Sequence, residues 1–293
     1  MKIAISGSTG FIGSNLSAFL ADKGIEVCGL KRSHFLPEQR EELIKILGGC
    51  QVVINLAGTS INCRWTKRSM KDIYDSRIFT TRDLVSAINS LDKKPSLFIS
   101  TSAVGIYSEE KILNENSLKY NSNFLAQVCK DWEKEAENVS SEVRLVITRL
   151  GVVLNSNGGV LSLMIIPFRF FVGGNIGNGK QGFSWIHLQD LLEAFWEIIN
   201  NNAAKGVIHL TAPQLSDNCS FAKTLARILH RPALFSIPVF VFKLLYGAGH
   251  IIFTTGQKVY PNRLLKLGFT FRYPNLEAAL KEITNKLSTH AIH

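Results

Sequence analysis

The segment Gly7-Ser8-Thr9-Gly10-Phe11-Ile12-Gly13 follows directly on a short apolar run, Lys2 to Ser6, and opens a helical pattern with Phe11, Ile12, Leu16, Phe19 and Leu20 on one side. A strand that turns into a helix through spaced glycines is the context a dinucleotide-binding turn requires. Glycine permits the tight turn and a close approach of backbone to a diphosphate, and the helix start offers free N–H groups and a partial positive charge. The alternative is a turn that needs glycine only for its own geometry. Gly7, Thr9, Gly10, Phe11, Ile12 and Gly13 are therefore candidate cofactor-binding residues.

The same alternation continues along the chain. Glu26 to Leu30, Gln51 to Ala57, Ser96 to Thr101 and Leu145 to Leu150 read as strands, and Ser69 to Ile88, Asn123 to Glu137 and Leu188 to Ile199 as helices. Strands that are apolar throughout are covered on both faces, which implies a parallel sheet. The fold class is α/β: a Rossmann-type doubly wound parallel sheet with a small C-terminal α/β cap. The division expected is a dinucleotide-binding domain over 1–205 and a smaller domain over 206–293. Between Lys31-Arg32 and the strand at Gln51 there is room for one helix, Pro37 to Leu47, so the usual third strand is expected to be shortened or absent.

The second strand ends in Lys31-Arg32. A carboxylate at that place accepts hydrogen bonds from the adenosine ribose of NAD, whereas a guanidinium and an ammonium suit the 2′-phosphate of NADP. The cofactor expected is NADP(H), with a solvated pair of surface charges as the alternative.

A net charge of +10 favours anionic small molecules, but the basic residues are scattered and form no nucleic-acid motif. Nucleic acid is therefore not expected as a partner. Five cysteines without a C-x-x-C pair argue against both a disulfide framework and a zinc site, and point with the absence of a secretory signal to a cytoplasmic protein without a metal. The apolar stretch Ala233 to Phe253 is interrupted by Pro238, Lys243, Gly247, Gly249 and His250. It reads as a buried helix or a subunit contact, the latter implying a homodimer, and not as a membrane span.

Together with the opening glycines, the chain carries Asn55-Leu56-Ala57-Gly58, Arg64-Trp65 to Asp75-Ser76-Arg77, Ser184-Trp185-Ile186-His187, Gln257-Lys258-Val259 and Gly268-Phe269-Thr270-Phe271. In these motifs it resembles the epimerase-family branch of the atypical short-chain dehydrogenase/reductases, NAD-dependent epimerase/dehydratase-like proteins with a C-terminal domain of the DUF1731 type. The resemblance spans nearly the whole chain. It implies a nicotinamide cofactor contacted by Leu56, Ala57, Gly58, Asp72, Arg77 and Val152, and supplies no substrate. From the residues themselves, Ile73, Leu84 and Ile88 set Arg77 near the inward helix face, where its charge needs either a cofactor or a structural ion pair.

Short-chain dehydrogenases pair a Tyr with a Lys four residues on, which places both on one helix face. Here Leu125 and Cys129 occupy those places. The catalytic candidates left are Ser102, at a strand end, and Tyr107. His187 and Asp190 stand at helical spacing as an ordered pair or as an ordinary helix start, and the glycine-rich segment Gly173 to Gly182 lines a cleft or forms a surface loop. These features predict an oxidoreductase or epimerase acting on a small polar, anionic or sugar-like molecule. The competing expectation is a non-catalytic NADP(H)-binding redox sensor or scaffold.

Overall fold

The computed structural model describes residues 1–109, 112–156, 158–233 and 235–290. In chain order these form β1 (Lys2–Ser6), α1 (Phe11–Asp22), β2 (Glu26–Leu30), α2 (Arg40–Gly48), β3 (Val52–Asn55), α3 (Lys67–Asn89), β4 (Leu97–Ala103), α4 (Phe124–Glu137), β5 (Arg144–Leu150), β6 (Val152–Leu154), α5 (Leu161–Arg169), β7 (Trp185–His187), α6 (Leu188–Asn200), β8 (Gly206–Leu210), α7 (Asn218–Ile228), α8 (Val239–Tyr246), α9 (Ile251–Thr254), α10 (Asn262–Lys266) and α11 (Leu276–His290).

Six strands pair in the order β2-β1-β3-β4-β5-β8, all parallel, and β6 and β7 form a separate parallel pair. The two-residue period of a strand sends alternate side chains to opposite faces. Ile3, Ile5, Val52, Ile54, Leu97 and Ile99 pack under α1 and α6, while Ala4, Val53 and Phe98 pack with Leu43, Leu47, Leu84 and Ile88 from α2 and α3. Both faces are dry, as continuous apolarity implied. The expected Rossmann-type sheet is present.

Between β2 and β3 lie two short 3-10 turns, Arg32–Phe35 and Pro37–Gln39, and then α2. No strand lies outside β2 among the described residues, so β2 is an edge.

A second core gathers Leu161, Ile165 and Phe168 of α5, Trp185 of β7, Phe221 and Leu225 of α7, and Leu276, Leu280 and Ile283 of α11. It draws on both sides of position 205, and β8, which begins at Gly206, is the last strand of the main sheet. Packing therefore divides the chain by layer and not at residue 205. The apolar stretch from Ala233, within which Leu234 lies outside the described residues, is not a buried helix. It forms α8, none of whose residues is buried, with Phe240 and Leu244 66% and 71% exposed. No helix among the described residues is long and apolar enough to cross a membrane.

Two side chains at the start of α6 help to hold the C-terminal elements to the sheet. Asp190 sits in the first turn of α6, fully buried, and accepts hydrogen bonds from the backbone N–H groups of Arg272 (2.7 Å) and Tyr273 (3.0 Å). His187 caps the same helix through Nδ1, which accepts from the Gln189 N–H, and its Nε2 meets Glu282 of α11 at 3.0 Å. The pair is thus a helix start that doubles as a dock. Asp190→Ala removes two charge-assisted bonds and is expected to cost about 2–4 kcal/mol in urea unfolding; a change below about 0.5 kcal/mol would show that the dock is unnecessary.

Candidate functional site

Parallel strands of an open sheet present their carboxyl ends along one edge, where ligands of such folds bind. Gly7, Lys31, Leu56 and Ser102 all sit on this edge, after β1, β2, β3 and at the end of β4. Gly7 has φ +72°, and a Cβ there would stand 2.7 Å from the Leu56 carbonyl oxygen. A Cβ on Gly13 would stand 2.1 Å from the Gly7 carbonyl oxygen. Both positions accept only glycine, and α1 is thereby drawn tightly onto β1. Gly10 caps α1 without a side-chain hydrogen bond, and the first turn holds no acidic residue. Its N–H groups and dipole are left for an anion. Thr9 and Gly10 are exposed, and Phe11 and Ile12 half-buried; the Phe11 ring stands about 3 Å from where Cβ atoms of Gly158 and Gly159 would be, so that loop lies over it.

Asn55 holds the neighbouring turn. Its Oδ1 accepts from Ser6 Oγ (2.6 Å) and from the Ala57 N–H (3.3 Å), and its Nδ2 donates to Thr81 Oγ1 (2.7 Å), which donates in turn to the Arg77 carbonyl. Leu56 and Ala57 are half-buried on this turn and Gly58 is exposed. A Cβ on Gly58 would meet the Arg77 guanidinium at 2.8 Å. Arg77 donates to the carbonyls of Thr59 (3.1 Å) and Ile73 (3.0 Å) and lies over the Trp132 ring. Among the described residues no carboxylate pairs with it, and burial lowers its pKa. No structural ion pair is therefore found for it among the described residues. Asp72 is exposed on α3, and Val152 is half-buried in β6 opposite Trp185. Lys31 and Arg32 are both exposed, with no acidic partner among the described residues.

The catalytic candidates lie behind this edge in a buried polar network. Ser102 is 3% exposed and its hydroxyl donates to Glu133 Oε1 at 2.6 Å. Glu133 also accepts two hydrogen bonds from Arg149, Nε to Oε1 at 2.8 Å and Nη2 to Oε2 at 2.6 Å. Arg149 donates through Nη1 to the Tyr107 hydroxyl, which meets His209 Nε2 at 2.8 Å. Tyr107 is 0% exposed. Its hydroxyl is thus fully engaged, and burial pushes its pKa up to about 12. Burial also pushes the Cys129 thiol up to about 11, and works against the Arg149 charge, which Glu133 nonetheless holds protonated. Lys130 donates to the Asn121 carbonyl. No Tyr–Lys pair forms at the usual place.

Burial, helped by the nearby Arg149 and Arg263 charges, lowers the His209 pKa to about 3, so its ring is neutral and its 3.8 Å approach to Glu115 is not an ion pair. With Nδ1 facing the Tyr260 carbonyl (3.3 Å), the assignable tautomer carries its proton there, and Nε2 accepts from Tyr107. Glu133, His209 and Glu115 were not singled out in the sequence. One signal was available, since Arg149 interrupts an apolar strand and a buried guanidinium needs a partner.

Two cavities are present among the described residues. One, of about 700 Å³, is lined by Asn178, Lys180, Gln181 and Lys258 among others. The other, of about 540 Å³, is mostly apolar, between α5, α7 and α8. The glycine-rich segment Gly173 to Gly182 contributes to both. No cluster of three or more His, Cys, Asp or Glu side chains able to hold a metal occurs among the described residues.

The chain belongs to the NAD dependent epimerase/dehydratase family, whose model matches residues 3–210, and residues 237–283 match a domain of unknown function, DUF1731. It is 36% identical to the epimerase family protein YfhF of Bacillus subtilis, over 97% of this chain and 98% of that one. It is also 36% identical to the chloroplastic epimerase family protein SDR39U1 homolog of Arabidopsis thaliana, over 97% of this chain and 86% of that protein. The solved human epimerase family protein SDR39U1 with NADPH superposes with a TM-score of 0.91 at 34% identity, covering 98% of this chain and 100% of that one. The family resemblance read from the motifs is thereby established.

The pH dependence of folding follows from His209. In the unfolded chain its pKa returns to 6.5, so below that value the unfolded state takes up a proton that the native state refuses until about 3. Stability is therefore expected to fall with pH by up to about 1.4 kcal/mol per unit from this group. His209→Gln should flatten the slope between about pH 6 and pH 5, read by urea unfolding; an unaltered slope would assign it to other groups.

Proposed function

We propose that the chain is an NADP(H)-dependent oxidoreductase or epimerase of a small molecule. The observation that carries this reading is the uncapped, glycine-built start of α1 beside Lys31 and Arg32, two exposed cations at the end of β2 without a carboxylate between them. These residues fit a dinucleotide diphosphate and a 2′-phosphate respectively. The human relative whose structure contains NADPH supports the same choice. Leu56, Ala57, Gly58, Arg77 and Val152 would flank the nicotinamide half, with Arg77 supplying a cation held in place by backbone carbonyls. Asp72, exposed on α3, would contact the cofactor only at its rim.

When bound, the nicotinamide supplies the site with a two-electron donor or acceptor. The protein's share is to orient and to handle a proton. The Ser102 hydroxyl already donates to Glu133 and has lone pairs left, so it is suited to accept one further hydrogen bond. Tyr107 is suited to hold Arg149 and the β4 end in place, since its hydroxyl is spoken for on every side. Its earlier candidacy as an acid gives way to a positioning role in this reading. The alternative, a non-catalytic redox sensor, is favoured by one observation: Leu125 and Cys129 stand where the proton relay is expected, and the Cys129 thiol keeps its proton. Turnover of NADPH with a panel of carbonyl compounds separates the two.

Titration of the purified protein with NADPH and NADH by calorimetry tests the cofactor assignment. Arg32→Ala is expected to weaken NADPH by about 10- to 100-fold and leave NADH nearly unchanged, because a charge-assisted contact is worth about 1.5–3 kcal/mol. Equal and feeble binding of both dinucleotides would overturn the assignment.

A further inference from the structure

The cavity of about 540 Å³ has the size of a small-molecule site. Its walls are Met164 and Phe168 of α5, Phe221 of α7, and Val241, Phe242 and Leu245 of α8. Such walls offer a sugar or a phosphate nothing in exchange for lost water. Around the mouth, Leu163, Val172, Phe235 and Leu245 are 49%, 59%, 64% and 58% exposed. An apolar rim of this extent on a chain of this size marks a site of interaction.

Two chain segments link the cavity wall to the dinucleotide edge. Val160 on its wall follows the Gly158–Gly159 pair that lies over Phe11, and Asn62 on its wall stands on the loop that begins at Gly58. Three other polar side chains line the cavity, Asn218, Ser236 and Tyr246; Asn218 already accepts from the Ile176 N–H and Ser236 from Asn175 Nδ2. Asn62 is not so engaged, since its Oδ1 is buried with no hydrogen-bond partner. A buried polar atom without a partner costs about 1–3 kcal/mol. An amide can turn to donate to a carbonyl or to accept from a hydroxyl, which suits both members of a ketone–alcohol pair.

We infer that this cavity takes the substrate, and that the substrate is a predominantly apolar ketone or secondary alcohol whose single oxygen pairs with Asn62. The inference rests on the dinucleotide reading above for its chemistry, but its binding can be measured apart from it. It replaces the anionic or sugar-like substrate suggested by the net charge.

The test is a fluorescence titration of the whole protein with diphenylhexatriene, a hydrocarbon that emits in apolar surroundings, with NADPH affinity followed separately by calorimetry. The probe is expected to bind, to be displaced by a secondary decanol or its ketone, and to be indifferent to UDP-glucose. Val241→Trp, which fills the cavity from α8, should weaken the probe by more than about tenfold at unchanged NADPH affinity, a loss of about 1.4 kcal/mol or more. Asn62→Leu should leave the probe bound and weaken displacement by the decanol about five- to tenfold, while displacement by its methyl-capped hydrocarbon analogue stays the same. No probe binding to the wild type, displacement by UDP-glucose, or full probe affinity in the Val241 variant would overturn the proposal; equal displacement in the Asn62 variant would overturn the anchoring role. Loss of NADPH binding with the probe still bound would instead remove the dinucleotide reading.

Discussion

One side chain, Asn55, fixes the geometry on which the site depends. At the end of a central strand it must satisfy an amide away from water, and it does so by binding β1 through Ser6, α3 through Thr81 and its own turn through the Ala57 N–H. Thr101 of β4 donates to its carbonyl as well. The Ala57 N–H can only donate, and Thr81 Oγ1 spends its own proton on the Arg77 carbonyl, so the amide has one orientation. Four elements therefore meet in a single arrangement at the sheet edge. Buried polar groups of this kind rigidify when fully paired.

Behind that edge the Glu133–Arg149 pair plays a different part. A buried ion pair recovers little of its desolvation cost, so its value is less in stability than in what it orders. It fastens α4 to β5, holds the Ser102 hydroxyl from one side and, through Arg149, the Tyr107 hydroxyl from the other. Tyr107 then reaches β8 through His209. Three neighbouring strands and a helix share one chain of hydrogen bonds. This explains why a chain lacking the usual Tyr and Lys still keeps polar groups at that depth.

What the sequence made legible followed from local rules. The glycine turn, the parallel strands covered on both faces and the missing strand after Lys31-Arg32 are consequences of short-range pattern, and all are present in the fold. Less legible was whatever required knowing which distant segments meet. Val152–Leu154 and Trp185–His187 are too short to announce a strand pair, and Glu133, at the end of an ordinary amphipathic helix, looks like any surface acid until β5 is laid against it. Tyr107 is a candidate acid by its place after the β4 end, although a loop tyrosine more often packs; its burial beside Tyr120 and His209 is invisible along the chain. The exposure of α8 was illegible for a related reason, since apolarity reports a preference for leaving water and not the surface that satisfies it.

The edge position of β2 has a consequence for how partners are held on that side. Where a further strand would ordinarily build a wall, the chain offers 3-10 turns and two solvent-facing cations. On the proposed cofactor assignment, recognition there would be made by charge across water-accessible space, with little enclosure to shield it. Surface charges are screened over about 8 Å at physiological ionic strength and over about 3 Å in molar salt. Discrimination between a phosphorylated and an unphosphorylated ribose would thus be set jointly by the protein and its medium, and a concentrated electrolyte would blur a distinction that a dilute one keeps sharp.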